Sequence, residues 1–127
     1  MALTHVTAVR NVVADAVVDS IDAGATDANG DLEYMTAGDV EVATLAMANP
    51  AFGAAAAAVA TANAIADDTN ATGGTVSKFK LQDRDNGEVL QGSVTATSGG
   101  GDIELTNVVI GATDTVSTSS MTYTAPV

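Results

Sequence analysis

Between residues 4 and 23 the apolar positions Val6, Val9, Val13, Val17 and Ile21 recur at spacings of three and four. That period places them on one stripe of an amphipathic helix, with Arg10, Asp15, Asp19 and Asp22 largely off it. Thr4 suits the N-cap and Gly24 the C-cap. Valine is a mediocre helix former, so packing rather than propensity must hold this helix. Its valine stripe is therefore expected to lie on a sheet or on a neighbouring subunit. After a polar loop at 24–30 the period changes to two. Leu32 and Tyr34 alternate with Asp31, Glu33 and Met35, and past Gly38 Ala43, Leu45 and Met47 alternate with Val42, Thr44 and Ala46. Two short strands ending at Asn49-Pro50 are predicted.

Residues 51–66, AFGAAAAAVATANAIA, admit two readings. Alanine is the best helix former, but Pro50 and Gly53 stand at the start and no capping pattern is present. From Val59 onwards Val59, Thr61, Asn63 and Ile65 alternate with alanines. This favours an irregular lead-in and a strand near 58–65 packed on its alanine side. A loop at 67–74 precedes a strand at 76–82, with Phe79 and Leu81 inward and Lys78 and Lys80 outward. Asn86-Gly87 favours a tight hairpin turn, and 88–96 returns as its partner with Leu90 and Val94 inward. Residues 98–101 break the chain. Ile103, Leu105 and Val109 mark another strand, and 116–124 a last one. Short strands bounded by Gly and Asn/Asp turns predict a mainly β fold. It is a small antiparallel β-sandwich, jelly-roll-like, or a barrel, with one N-terminal α-helix. A single domain is expected over 1–127, with the helix at 4–23 and the sandwich at 31–125.

Composition changes this picture in two ways. Hydrophobic residues make up 46% but aromatics only 3%, so the core is built of small side chains that each bury little area. Such a fold gains much from a partner that binds only its folded form. Sixteen acidic residues against four Lys plus Arg give a net charge of −12, which argues against gripping nucleic acid. No uninterrupted apolar run is long enough for a membrane helix, and no membrane partner is expected. The first residues show no positively charged secretory leader, so the chain is expected to start in the cytoplasm of whatever cell makes it. Without cysteine there is no disulfide, thiolate metal site or thiol nucleophile.

Candidate chemistry is sparse. His5, the one histidine, lies at the start of the chain and reads as a surface or contact residue. Asp83-Arg84-Asp85-Asn86-Gly87-Glu88 has the look of a calcium loop, but its Gly comes one residue early and the closing Glu is missing. A hairpin turn explains it better. The cluster Asp27, Asn29, Asp31 and Glu33 reads as a solvated turn, and Asp67-Asp68 as a loop start. Tyr34, Phe52, Phe79 and Tyr123 are too few to furnish a glycosidase cleft. No cofactor, metal or catalytic residue is expected, and an enzyme is not. Lys78, Lys80 and Arg84, three of the four cations, fall within seven residues. They form either a solubilising strand face or a positive patch that docks on a negative surface. The acidity itself fits plain solubility or a saline medium.

A resemblance spans nearly the whole chain. Leu3-Thr4-His5, Ala8-Val9-Arg10-Asn11 and Ala14-Asp15-Ala16-Val17-Val18-Asp19 resemble the opening of small virion proteins of tailed bacteriophages. Asn49-Pro50-Ala51-Phe52-Gly53-Ala54-Ala55 followed by Val59-Ala60-Thr61-Ala62-Asn63-Ala64-Ile65 continues it, as do 79–94 and the Thr/Ser-rich close at 116–124. The group is similar to head decoration or cement proteins, compact β-rich modules that sit on the major capsid shell. The resemblance implies a non-enzymatic component of the capsid exterior, made in the host cytoplasm. Its partner would be the major capsid protein, and it would form a homo-dimer or trimer on the lattice. A head-fibre or tail role, and a carbohydrate-binding β-sandwich module, are the alternatives. The candidate assembly contacts are Val6, Val9, Val13, Val17, Phe52, Lys78, Lys80 and Arg84.

Overall fold

The computed structural model describes residues 3–127. The period-two segments form strands β1 (Asp31–Met35), β2 (Glu41–Ala46) and β3 (Val59–Thr61), then, after an unpredicted two-residue β4 (Gly74–Thr75) at the end of the expected loop, β5 (Lys78–Gln82) and β6 (Glu88–Ala96). Three more follow: β7 (Ile103–Leu105), β8 (Val109–Ile110) and β9 (Thr122–Thr124). Five of them make one sheet in the order β2-β1-β5-β6-β7, while β3 pairs with β9 and β4 with β8. The protein is mainly β with one N-terminal helix, as its patterning predicts. A second sheet comparable in size to the first is absent among the described strands, which add only the two ribbons.

Register explains the core. Leu45, Leu32, Leu81 and Leu90 stand opposite one another across four strands, and Ala43, Tyr34, Phe79 and Gly92 form the next such row. Cross-strand rows of this kind are the unit of sheet stabilisation. Gly92 is required by its neighbour, since a Cβ there would approach Phe79 Cε1 to 2.6 Å. The 83–88 turn is a hairpin: Asp83 N–H donates to Gly87 O at 2.8 Å, with Asn86 left-handed at φ 64°. Tyr34 is fully buried and its hydroxyl meets Thr118 Oγ1 at 2.7 Å, tying β1 to the segment before β9.

Two strands depart from expectation. The segment after residue 101 divides into β7 and β8, and β7 runs parallel to β6. Parallel neighbours ordinarily need a crossover of a dozen or more residues. Here the return is short and is fastened by side chains. Asp102 Oδ2 accepts from Ser93 N–H at 2.8 Å, Glu104 Oε1 from Ser98 N–H at 2.7 Å, and Thr95 Oγ1 from Gly101 N–H at 3.0 Å. The last strand is confined to β9, with Val116 making only an isolated bridge to Asp68.

The helix, α1, covers Thr7–Asp19 and tightens into a 3₁₀ turn at Ser20–Asp22. Residues 51–58 are neither helix nor strand, and β3 follows with Ala60 fully buried. Ala57 and Ala58 both take left-handed φ, 51° and 68°, which a helical run excludes. Three N–H groups of this segment go to side chains of the helix and its 3₁₀ turn, while Gly53 and Ala56 donate to β3 carbonyls. Ala58 N–H donates to Asn11 Oδ1 at 2.7 Å, Ala55 N–H to Asp15 Oδ1 at 2.7 Å, and Ala51 N–H to Asp22 Oδ1 at 2.9 Å. Arg10 reaches the other way, donating from Nη2 to Ala125 O at 2.8 Å and from Nε to Pro126 O at 3.2 Å.

Candidate functional site: an outward valine face

Those bonds fix how α1 is turned. With about 100° between successive residues, Asn11, Ala14, Asp15, Val18, Ile21 and Asp22 share one side. Ala14, Val18 and Ile21 are buried there. The opposite side carries Val6, Val9, Val12, Val13 and Ala16. The predicted stripe of Val6, Val9, Val13, Val17 and Ile21 is therefore not the docking face. Only Ile21 is buried, Val13 and Val17 are half-buried at the boundary, and Val6 and Val9 are exposed. The reason is local. Gly53 and Ala56 N–H donate to β3 carbonyls, at Thr61 and Val59, but Ala51, Ala55 and Ala58 N–H have no such partner, and an unpaired buried amide costs about 1–3 kcal/mol. Carboxylate and amide side chains facing inward satisfy those amides, and the valines are rotated out.

The result is an inverted amphipathic helix. Leu3 is 83% exposed, Val6 69%, Val9 43% and Val12 67%. With Val127 these are five of the seven exposed large apolar side chains among the described residues. Charge is distributed to match. Residues 1–14, 42–66 and 115–127 contain no Asp or Glu, so all sixteen acids fall between 15 and 41 or between 67 and 114. Parts of the acid-free segments meet in space: β3 pairs with β9, and α1, whose acids are confined to Asp15 and Asp19, packs on both. One part of the molecule is poor in acids and valine-studded, with Arg10 its one Lys or Arg, while the remainder is acidic.

The other predicted contacts lie elsewhere and do different work. Phe52 is buried at 4% exposure in the core, so it packs the fold rather than a partner. Lys78 forms an ion pair with Asp39, and Lys80 lies 3.8 Å from Glu33. Arg84 Nε donates to Asp27 O at 2.8 Å. These cations make no unbalanced positive patch; they fasten β5 and the hairpin turn to their neighbours. Sequence reasoning missed Val12, although it stands three residues after Val9, because the predicted stripe continues from Val9 to Val13. It also missed Asn11, Asp15 and Asp22 as docking groups. The signal that points to them is an alanine run led by Pro50 and Gly53, which forms no helix of its own to satisfy its amides.

The acidic loops are internally engaged. Asp85 Oδ1 accepts from Ala25 and Thr26 N–H, both at 2.9 Å, and the backbone bond from Ala25 leads in holding its carboxyl below the usual range. Asp83 Oδ1 accepts from Asp85 N–H at 2.9 Å and Gly87 N–H at 2.7 Å. Among the described residues no group of three or more acidic or histidine side chains is placed to hold a metal ion. No helix of the described residues is long and apolar enough to cross a membrane.

Two grooves open on the sheet side. One of about 670 Å³ runs between β7 and residues 114–120 and is lined mainly by hydroxyl and carboxylate groups. Another, of about 370 Å³, is floored by Phe52, Phe79, Leu81 and Met121 with Tyr123 at its side. A sugar-stacking platform needs accessible aromatic faces. Tyr34 is fully buried and both phenylalanines nearly so, leaving Tyr123 as the one half-exposed ring. Comparison with protein families, with curated proteins and with solved structures gives no match.

Proposed function

We propose that this protein is a non-enzymatic structural component of a bacteriophage virion that decorates or cements the capsid shell, with the major capsid protein as its partner. The observation that carries the reading is the inverted helix. Polar side chains face the fold and a row of valines faces out, within an acid-free part of an otherwise acidic surface. An apolar face that the chain does not cover is a surface for assembly. A lattice-bound module needs such a complementary surface rather than a pocket. Each contact can be weak, because neighbours on the lattice raise the effective concentration. The light core supports the same reading, since binding to a shell stabilises the folded form by mass action. The resemblance to small phage virion proteins supplies the identity of the assembly.

Purified protein mixed with shells of the encoding phage that lack it tests the proposal. It is expected to co-sediment with the shells at saturating copy number, to raise their thermal disruption temperature and to appear as regular density on their outside. Shells that neither bind the protein nor gain stability overturn the reading. Density confined to the tail moves the protein to a tail role.

A further inference from the structure

We propose that the outer face of α1 is a two-fold interface with a second copy of this chain, the helices packed antiparallel through Val6, Val9, Val12 and Val13. The inference rests on the reading of this face as an assembly surface and names its occupant. Like charge decides where a second copy can approach. The chain carries −12, and its four cations are all engaged internally, Arg10 with the 125 and 126 carbonyls and the other three within the acidic part. Two copies meeting through the acidic part would bring uncompensated carboxylates together. The outer helix face is uncharged from Leu3 to Ala16, and its first acid is Asp19.

Orientation follows from the same residue. Val9 and Asp19 are ten positions apart, about 15 Å along an α-helix. Antiparallel helices crossing at Val9 place the two Asp19 carboxylates about 30 Å apart, roughly three Debye lengths at 0.1 M salt. A parallel arrangement would set them side by side. The rows Val6–Val9–Val13 and Val9–Val12–Ala16 follow the i, i+3, i+4 ridges through which helices interdigitate. Ala54, Ala56 and Ala57, in the segment bonded to the helix, are exposed and uncharged as well. A stable pair needs about 800 Å² from each partner. That is roughly an eighth of the chain's 6646 Å² surface, to which the exposed side chains of Leu3, Val6, Val9 and Val12 would contribute the apolar centre. The protein then reaches the shell as a pair, with its acidic parts directed away from the pairing axis.

Sedimentation velocity on the purified full chain tests this. At roughly 100 µM the wild type is expected to sediment as a dimer. Raising salt from about 0.05 to 0.5 M tightens the pair, because it screens the repulsion between two acidic bodies. The double variant Val9→Asp/Val12→Asp is expected to weaken pairing by about 100-fold or more, since each charge would be buried unpaired. Both positions are exposed in the single chain, so its circular dichroism and unfolding temperature at low concentration stay near wild type. A wild type that stays monomeric at every salt concentration overturns the proposal, as does a variant that pairs like wild type. Shell binding by the same samples separates the two readings. Dimers that ignore shells remove only the virion role, and monomers that decorate shells remove only the pairing.

Discussion

Substituting Asp15 by alanine tests the orientation of the helix, on which the other functional conclusions depend. Asp15 Oδ1 accepts from Ala55 N–H at 2.7 Å in a half-buried setting, and Ala55 lies between the bridges that Phe52 and Ala56 make, with no strand carbonyl to replace it. A hydrogen bond to a charged group is worth about 1.5–3 kcal/mol, and partial solvent access puts this one toward the lower end, about 1–2 kcal/mol. For a chain of this length each kcal/mol moves the unfolding temperature by roughly 3–5 °C, so Asp15→Ala should lower it by about 4–8 °C. Asp15→Asn keeps an acceptor oxygen and should recover most of the loss. It removes the same charge, so the pair of variants separates hydrogen bonding from electrostatics. Val9→Ala and Val12→Ala, on exposed positions, should each stay within about 0.5 kcal/mol of wild type. Differential scanning calorimetry at low protein concentration reads all four, keeping self-association out of the comparison. If the valine substitutions cost more than Asp15→Ala, the helix docks through its valines and the outward face described here does not exist.

Three further expectations concern the body of the fold. Tyr34→Phe removes the hydroxyl that meets Thr118 and should cost about 1 kcal/mol in chemical denaturation, with unchanged spectroscopic signs of fold. Gly30→Ala should cost about 1–3 kcal/mol, because the new Cβ would meet backbone oxygens of Gln82 and Ile21 at 2.5 and 2.7 Å where the helix end abuts β1. Acidification should first stabilise the protein. Burial, with Asp27 adding to it, raises the Asp31 carboxyl, and burial raises Glu33 against the pull of Lys80. The stability from a raised carboxyl is full below its unfolded value and is lost as pH rises through its folded value. Asp85 and Asp102 are lowered, chiefly by backbone N–H donors of Ala25 and Ser93, so their contribution is lost only as pH falls through their lowered values. The unfolding temperature should therefore rise as pH falls through the raised values of Asp31 and Glu33 and fall again in stronger acid, and Asp31→Asn should flatten the rise. A continuous fall from pH 7 contradicts this.

Strands whose period is two and whose turns are marked by Asn-Gly or Gly were legible because each carries its own local signal. β1, β5 and β6 follow the predicted boundaries closely, and the hairpin sits on Asn86-Gly87. β7 was not legible as a parallel strand. Its direction depends on Asp102, Glu104 and Thr95 capturing backbone amides across a short loop, and no periodicity encodes that. The helix was legible as a helix but not in its rotation. Hydrophobic periodicity assumes that apolar side chains turn inward, and here the backbone of residues 51–58 needed acceptors more than the core needed valines. The candidate site was thus visible as a set of valines, with its direction reversed. Lys78, Lys80 and Arg84 were visible as a cluster, but only the register against Glu33, Asp39 and Asp27 shows that they are taken.

Because the chain has no cysteine, one introduced thiol reports on one position. Val9→Cys places it on the outer helix face, and Val40→Cys places it on an exposed loop of the acidic part as a control. The measurement is the rate of labelling by a soluble maleimide, first in dilute protein, then in concentrated protein and in assembled particles. The thiol at position 9 should label freely when dilute and become protected on concentration and in particles, while the thiol at position 40 labels at one rate throughout. A thiol at position 9 that stays fully reactive in concentrated protein and in particles would show that the outward valines are covered by nothing, contradicting their role in assembly.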